Sequence, residues 1–144
     1  MNKRIWTTLE RMFAEFPLMV ASPAMQQEID TAARAIGCQF HGDYEEFLRR
    51  FGGALVGGTD ILGVRRAEAM GRSSWSVSEM TKRFREEGWP GVADWYIISV
   101  DGAGNPIGVS ADGQVWISDH DAGEVAVIAQ DFERFLERCL GDEL

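Results

Sequence analysis

The 144-residue chain is 45% hydrophobic and 26% charged, which is typical of one folded domain over residues 1–144 and excludes a disordered chain. No run of about 18 apolar residues occurs, so we expect no membrane-spanning helix. Glu10, Arg11 and Glu15 interrupt the apolar region that a signal peptide would need after its basic start, so we expect a cytoplasmic protein. Cys38 and Cys139 lie on apolar stretches with helical spacing, and we expect both thiols to be buried, with a disulfide or a reactive thiol as the alternative.

The charge is distributed unevenly along the chain. Residues 1–93 contain 12 acidic and 12 basic residues, whereas residues 94–144 contain 11 acidic residues and two basic ones, so the last third carries the entire net charge of −9. Nucleic acid is a poor partner for such a surface, because phosphate binding requires clustered Lys and Arg. The pattern favours a basic protein as the partner.

Helical spacing of apolar residues predicts two helices near the N-terminus. The first covers Trp6 to Phe16. The second is predicted to start with Ser22 as its N-cap and Pro23 at its first position, and to end at Gly37.

A third helix is predicted from Asp43, which has the capping-box spacing to Glu46. Gly52-Gly53 is expected to end this helix, and Gly57-Gly58 to form a turn. Ile61-Leu62-Gly63-Val64 follows and is predicted to be a short strand.

A fourth helix is predicted after Ser76, which forms a second capping-box pair with Glu79. We expect Trp75 to pack on Met80 across the first turn of this helix.

After Pro90 the periodicity changes from helical to alternating, which predicts an antiparallel meander followed by a last helix capped by Asp131. The predicted strands contain Trp95–Val100, Ile107 and Val109, Val115 and Ile117, and Val125–Ile128. Helices first, strands next and a closing helix predict an α+β fold with a central, mainly antiparallel sheet.

No residue pattern points to catalysis, a cofactor or a metal. His41 and His120 are expected in loops, and Asp101–Asn105 lacks the ligand spacing of a calcium loop. The carboxylates of the last third fall on turns, where water screens them, so a solvated acidic face is favoured over an acid–base pair.

Several segments together resemble the SMI1/KNR4 family of the SUKH superfamily. The resemblance covers roughly Phe40 to Leu140, although His41-Gly42 stands where the family usually has Leu-Pro. The matching segments are Asp43–Leu48, Gly52-Gly53, Ile61–Val64, Trp95–Ile98, Asp101–Asn105, Asp112–Trp116 and Phe132–Leu136.

The resemblance implies a central, mainly antiparallel sheet flanked by N-terminal helices and a C-terminal helix. It also implies a role without catalysis. Many bacterial members are similar to immunity proteins that neutralise a toxin domain, often a nuclease, from a polymorphic or contact-dependent toxin system. Fungal members are regulatory interaction proteins, so a regulatory, scaffolding or small-ligand-binding module is the alternative.

An immunity role leads to a specific hypothesis about the binding surface. Asp112, Asp119, Asp121 and Glu124 are expected on neighbouring turns or strand ends, where they would face a basic toxin domain. Trp116 alternates with Val115 and Ile117, so it is either an exposed anchor for the partner or buried under a helix.

Overall fold

The computed structural model describes residues 3–71 and 76–141, which form five α-helices and six β-strands. Two short 3-10 turns, Pro17–Met19 and Val92–Asp94, join some of these elements. In chain order the elements are α1 (Lys3–Glu15), α2 (Gln26–Ile36), α3 (Gly42–Phe51), β1 (Ala54–Val56), β2 (Thr59–Ile61), α4 (Val77–Glu86), β3 (Tyr96–Val100), β4 (Pro106–Val109), β5 (Val115–Asp119), β6 (Glu124–Ala129) and α5 (Phe132–Leu140).

The central sheet is an antiparallel meander in the order β3-β4-β5-β6, and β1 and β2 form a separate antiparallel hairpin. This confirms the expected α+β fold with N-terminal helices and a C-terminal helix. The strand predicted at Ile61–Val64 is wrong except at Ile61, because residues 59–61 pair with β1, which the sequence analysis missed. Leu62 instead donates its N–H to the carbonyl of Ile98 and joins the hairpin to the central sheet.

The two faces of the central sheet are covered to different extents. On one face, Tyr96, Ile98, Ile107, Val109 and Val115 pack with the apolar sides of α1, α2, α3 and α5 in the main core. On the other face, a smaller core forms between α4, the Val92–Asp94 turn and the β3 side of the sheet. This second layer covers most of β3 but leaves the β5 and β6 side of the same face partly open.

The predicted start of α2 is wrong. The helix begins at Gln26 with Met25 as its N-cap, because residues 20–24 lie outside any helix and are bonded to other parts of the chain. Ala21 N–H donates to the carbonyl of Gly53, and Ala24 N–H donates to that of Leu48.

The predicted start of α3 is also displaced. His41 is the N-cap, and Asp43 lies inside the first turn. Its carboxylate accepts from Tyr44 N–H and, across the fold, from Glu133 N–H at the start of α5. Asp43 therefore ties two helix N-termini together instead of capping its own helix.

Other predicted helix boundaries are confirmed. The hydroxyl of Ser76 accepts from Glu79 N–H, and the carboxylate of Asp131 accepts from Arg134 N–H, as expected of N-caps. Gly37 ends α2 in the left-handed conformation. Trp75 lies outside the described residues, so its contact with Met80 stays a prediction.

Among the described helices, none combines the length and apolar character needed to cross a membrane.

Candidate functional site

An open groove of about 1160 Å³ lies where β3 begins and β4 ends. One wall is the segment from the end of α2 to the start of α3, and the opposite wall is the Ser110–Asp112 turn. The groove continues past the Val92–Asp94 turn onto the open face of the sheet, where Trp116 and Val125 line it. It is therefore bounded by elements from both halves of the chain.

Arg85 of α4 fixes the floor of the groove. Its guanidinium donates to the carbonyl of Ile36 at 2.7 Å, to the carbonyl of Trp95 at 2.9 Å and to the Sγ of Cys38 at 3.1 Å. These bonds hold the end of α2 against the start of β3. Both terminal nitrogens of the guanidinium thus donate to protein atoms, whereas its buried Nε has no hydrogen-bond partner in the described part of the chain.

His41 links the two walls of the groove. Its Nε2 lies 2.9 Å from the carbonyl oxygen of Ala111, and its Nδ1 lies 2.8 Å from the hydroxyl of Tyr96. A carbonyl oxygen can only accept, so Nε2 carries the proton and, in the neutral ring, Nδ1 accepts from the Tyr96 hydroxyl. Burial raises the pKa of Tyr96 well above its usual range, which keeps this hydroxyl protonated. His41 was expected in a loop, and these contacts could not be predicted from the sequence.

Trp116 is half-buried, a result between the two alternatives of an exposed anchor and a side chain buried under a helix. Its ring stacks on that of Trp95 with centroids 6.1 Å apart, and its Nε1–H donates to the hydroxyl of Ser110 at 3.1 Å. In the sheet it lies between Gly108 of β4 and Val127 of β6. One side of the indole is thus supported by the protein, and the rest faces the groove.

The four predicted acidic residues do not lie together. Asp112 is at the β4–β5 turn and lines the groove, whereas the other three are at the opposite end of β5. The expectation of neighbouring positions is therefore wrong for Asp112, because the length of β5 separates the two turns. The hydroxyl of Ser110 donates to the Asp112 carboxylate and lowers its pKa, so this exposed group stays charged.

Asp119, Asp121 and Glu124 form what we name the acidic tip. Asp119 and Glu124 are paired across the β5–β6 hairpin, and Asp121 lies in the turn between them. The Asp119 carboxylate accepts from the N–H groups of Asp121 and Ala122, so it also shapes the turn. Asp121 and Glu124 are exposed.

His120 and the Asp101–Asn105 turn are accounted for by local structure. His120 Nδ1 lies 2.6 Å from the Asn105 side-chain oxygen, and its ring packs edge-on against Trp89. Asp101 accepts from the N–H groups of Ala103 and Asn105, the pattern of a turn. Within residues 3–71 and 76–141, no group of three or more His, Cys, Asp or Glu side chains is placed to hold a metal ion.

The two cysteines differ in accessibility. Cys139 is buried in the main core, where burial raises the pKa of its thiol to about 12. Cys38 follows Gly37, outside α2, and is half-buried at the groove, so the expectation of a helical, buried thiol is wrong for it. Both are free thiols.

A thiol titration would check this difference. We expect Cys38 to react with 5,5′-dithiobis(2-nitrobenzoic acid) in the native protein and Cys139 to react only after denaturation. In the Cys38→Ser variant the native-state reaction should disappear. Rapid reaction of both thiols without denaturant would contradict the burial of Cys139.

The exposure of β6 was not predicted from the sequence. Val125 and Val127 are 40% and 37% exposed, although a continuous apolar run is typical of a buried strand. Their register pairs them with Ser118 and Trp116, on the face that α4 leaves open. No local signal in the sequence distinguishes this edge position from a buried one.

Comparison with known proteins adds one match. The sequence model of the SMI1 / KNR4 family (SUKH-1) matches residues 23–138. This range contains α2 to β6 and most of α5, and it includes every residue that lines the groove or forms the acidic tip. A comparison with curated proteins found no match.

Proposed function

Because the chain belongs to the SMI1/KNR4 family (SUKH-1), we propose that it is an immunity protein, which binds and neutralises a cognate toxin domain in the cytoplasm of the producing cell. The observation that carries this proposal is the position of the negative charge. Asp94 and Asp112 are exposed on the rim of the groove, and the acidic tip lies at the other end of β5, where the paired Asp119 and Glu124 are on the sheet face opposite to Trp116. The proposed partner is basic, as a nuclease domain that binds phosphates would be.

The chemistry of the groove supports binding in preference to catalysis. Its best candidates for an acid, a base or an anion site are His41, Tyr96 and Arg85. All three make hydrogen bonds to other groups of the protein. A general acid or base must reach a substrate proton, and these groups hold the groove walls instead. An interaction protein without catalytic activity is the consistent proposal.

Electrostatics provides a physical reason for such a partner. Opposite charges on two proteins speed their encounter, since association is steered before contact is made. Immunity requires the toxin to be bound soon after its synthesis or entry, and fast association shortens the time for which the toxin is free. The half-exposed Trp116 and the exposed valines of β6 add apolar area beside these charges, which would slow dissociation.

A test of the proposal is co-expression of this chain with the C-terminal domain of the protein encoded next to it. We expect the two to co-purify, and the chain to protect cells from that domain. A neighbouring toxin domain that kills cells equally well in the presence of this chain would count against immunity. The regulatory or small-ligand-binding alternative would then gain support, since the groove is large enough for a ligand.

Charge reversal of the exposed acids tests the electrostatic part of the proposal. The triple variant Asp112→Lys, Asp121→Lys, Glu124→Lys should slow association with the toxin domain by about tenfold or more at low salt and flatten the salt dependence. Asp119 is kept because its carboxylate shapes the turn. Stopped-flow or surface-plasmon measurements over a range of salt concentrations would show the effect.

The matched control reverses three exposed acids in the neutral part of the chain, Glu15, Asp30 and Glu68. It changes the net charge by the same amount. If both triple variants slow association equally, the effect comes from net charge alone, and the groove rim and acidic tip lose their assigned role.

A further inference from the structure

The outer edge of β6 is unpaired in the part of the chain that the structure describes. Among residues 3–71 and 76–141, β6 pairs only with β5, which makes it an edge strand of the central sheet. The main-chain N–H and C=O groups on its outer side are therefore available to another strand. The opposite edge differs, because β3 is packed against α4 and bonded to the β1–β2 hairpin through Leu62.

Four consecutive residues, Glu124 to Val127, are exposed on this edge, and three of them are apolar. Edge strands of monomeric proteins usually carry Lys, Pro or a bulge that discourages pairing. In β6 the register of the pairing with β5 shifts at Ile128, which lies between the paired residues Val127 and Ala129. Arg138 also donates to the carbonyl of Ile128, so protection is confined to the end of β6 near α5. We name Glu124–Val127 the open edge.

The charge around the open edge favours one kind of strand. Glu124 lies on the edge itself, and Asp119 and Asp121 are beside it in the hairpin. A strand with Lys or Arg at the end that meets Glu124 would be attracted, and its apolar side chains would continue the row formed by Trp116 and Val127. A second copy of this chain is a poorer occupant, because each copy brings a net charge of −9.

We propose that the toxin domain docks by adding a β-strand to the open edge of β6, with its basic end at the acidic tip. This inference rests on the proposed function and specifies the geometry of the same interaction. In this arrangement main-chain hydrogen bonds extend the central sheet from four strands to five. Val125 and Val127 become covered by the partner, and the groove beside Trp116 receives side chains from the neighbouring part of the toxin domain.

The test uses the complex of this chain with the C-terminal domain encoded by the neighbouring gene. Hydrogen exchange measured on the wild-type proteins should show new protection at the amides of the open edge on binding, since exposed edge amides become bonded. Proline substitution provides the second measurement. Along an antiparallel strand the N–H groups alternate between the two sides, so only one of Ala126 and Val127 directs its N–H group outward. Proline at that position removes an outward donor and keeps the β5 pairing, whereas proline at the other position breaks a bond to β5.

We make both proline variants and retain the one with the thermal stability of the wild type. That variant should bind the toxin domain at least about tenfold more weakly. Ala103→Ser, in the exposed turn between β3 and β4, is the control, since it changes a surface residue away from the open edge. It should bind like the wild type.

The outcomes separate this inference from the proposed function. If the wild type fails to bind or protect, the immunity role itself fails. If the wild type binds but the folded proline variant binds within about twofold of it, and the open edge gains no protection, strand addition is overturned while the immunity role stands. Self-association of the isolated chain through β6, seen by sedimentation and abolished by the same proline, would also overturn a toxin strand as the occupant.

Discussion

Replacing Gly52 with alanine is expected to lower the free energy of unfolding by more than about 3 kcal/mol, equivalent to about 10 °C in the melting temperature. Gly52 ends α3 with φ +73°, and a Cβ atom there would lie 2.0 Å from the carbonyl oxygen of Ser22. That distance is far inside van der Waals contact, and the obstructing atom belongs to the main chain.

The surrounding hydrogen bonds make relief of this clash costly. The carbonyl of Gly52 accepts from Val64 N–H at 3.0 Å and from Arg65 N–H at 3.1 Å. On the other side, Ala21 N–H donates to the carbonyl of Gly53. Moving Ser22 or Gly52 would therefore weaken bonds among three chain segments, and the join between the helices and the β1–β2 hairpin would loosen.

Gly37→Ala is the matched control. Gly37 also ends a helix with a positive φ of +64°, but a Cβ atom there meets no other atom within 4 Å. The control should cost only the left-handed conformation, about 1 kcal/mol. Chemical denaturation of both variants would separate conformational strain from the backbone clash. Equal losses would show that the close approach of Ser22 is absent in solution.

Replacing Trp116 with alanine should weaken binding of the toxin domain by about 30-fold or more, the loss typical of an aromatic anchor at the centre of an interface. The indole is positioned by its stack on Trp95 and its hydrogen bond to Ser110, so little entropy is lost when a partner covers it. It also lies between the groove and the open edge, which places it centrally on the proposed surface.

Two comparisons make this result interpretable. Trp116→Phe keeps an aromatic ring over Trp95 and should retain most of the affinity. The melting temperature of the alanine variant shows separately whether the substitution has lowered the stability of the fold. Titration calorimetry at a temperature where all three proteins are folded gives the dissociation constants. An alanine variant that binds within about twofold of the wild type would place Trp116 outside the interface.

The helices could be predicted from the sequence, but some of their starts could not. The apolar stripes of α1, α4 and α5 form a local pattern with helical period, and most of those side chains are buried as expected, although Phe16 lies beyond the end of α1 and is exposed. The starts of α2 and α3 were misplaced because their flanking residues bond to distant segments. Asp43 has a suitable residue type for an N-cap, yet its carboxylate reaches Glu133, 90 positions away.

The candidate site was predicted only in part. The residue types were identified, and Trp116 and Asp112 do line the groove. The groove itself was not foreseen, because Arg85, His41 and Ala111 meet only in the folded chain. Their contacts span between 10 and 70 sequence positions, a range over which no periodicity carries information.

The α+β order of elements, most of the buried stripes and the concentration of negative charge in the last third follow from the amino-acid sequence alone. These properties depend on composition and on spacing along the chain, which are local. Which strand lies at the edge of the sheet and which face stays open depend instead on how the elements pack together. Val125 and Val127 have the residue types of a core, yet they are exposed because β6 is the edge strand of the described sheet and α4 packs on the β3 side. Burial is a property of what lies opposite a side chain, and that is set by the packing of the whole fold.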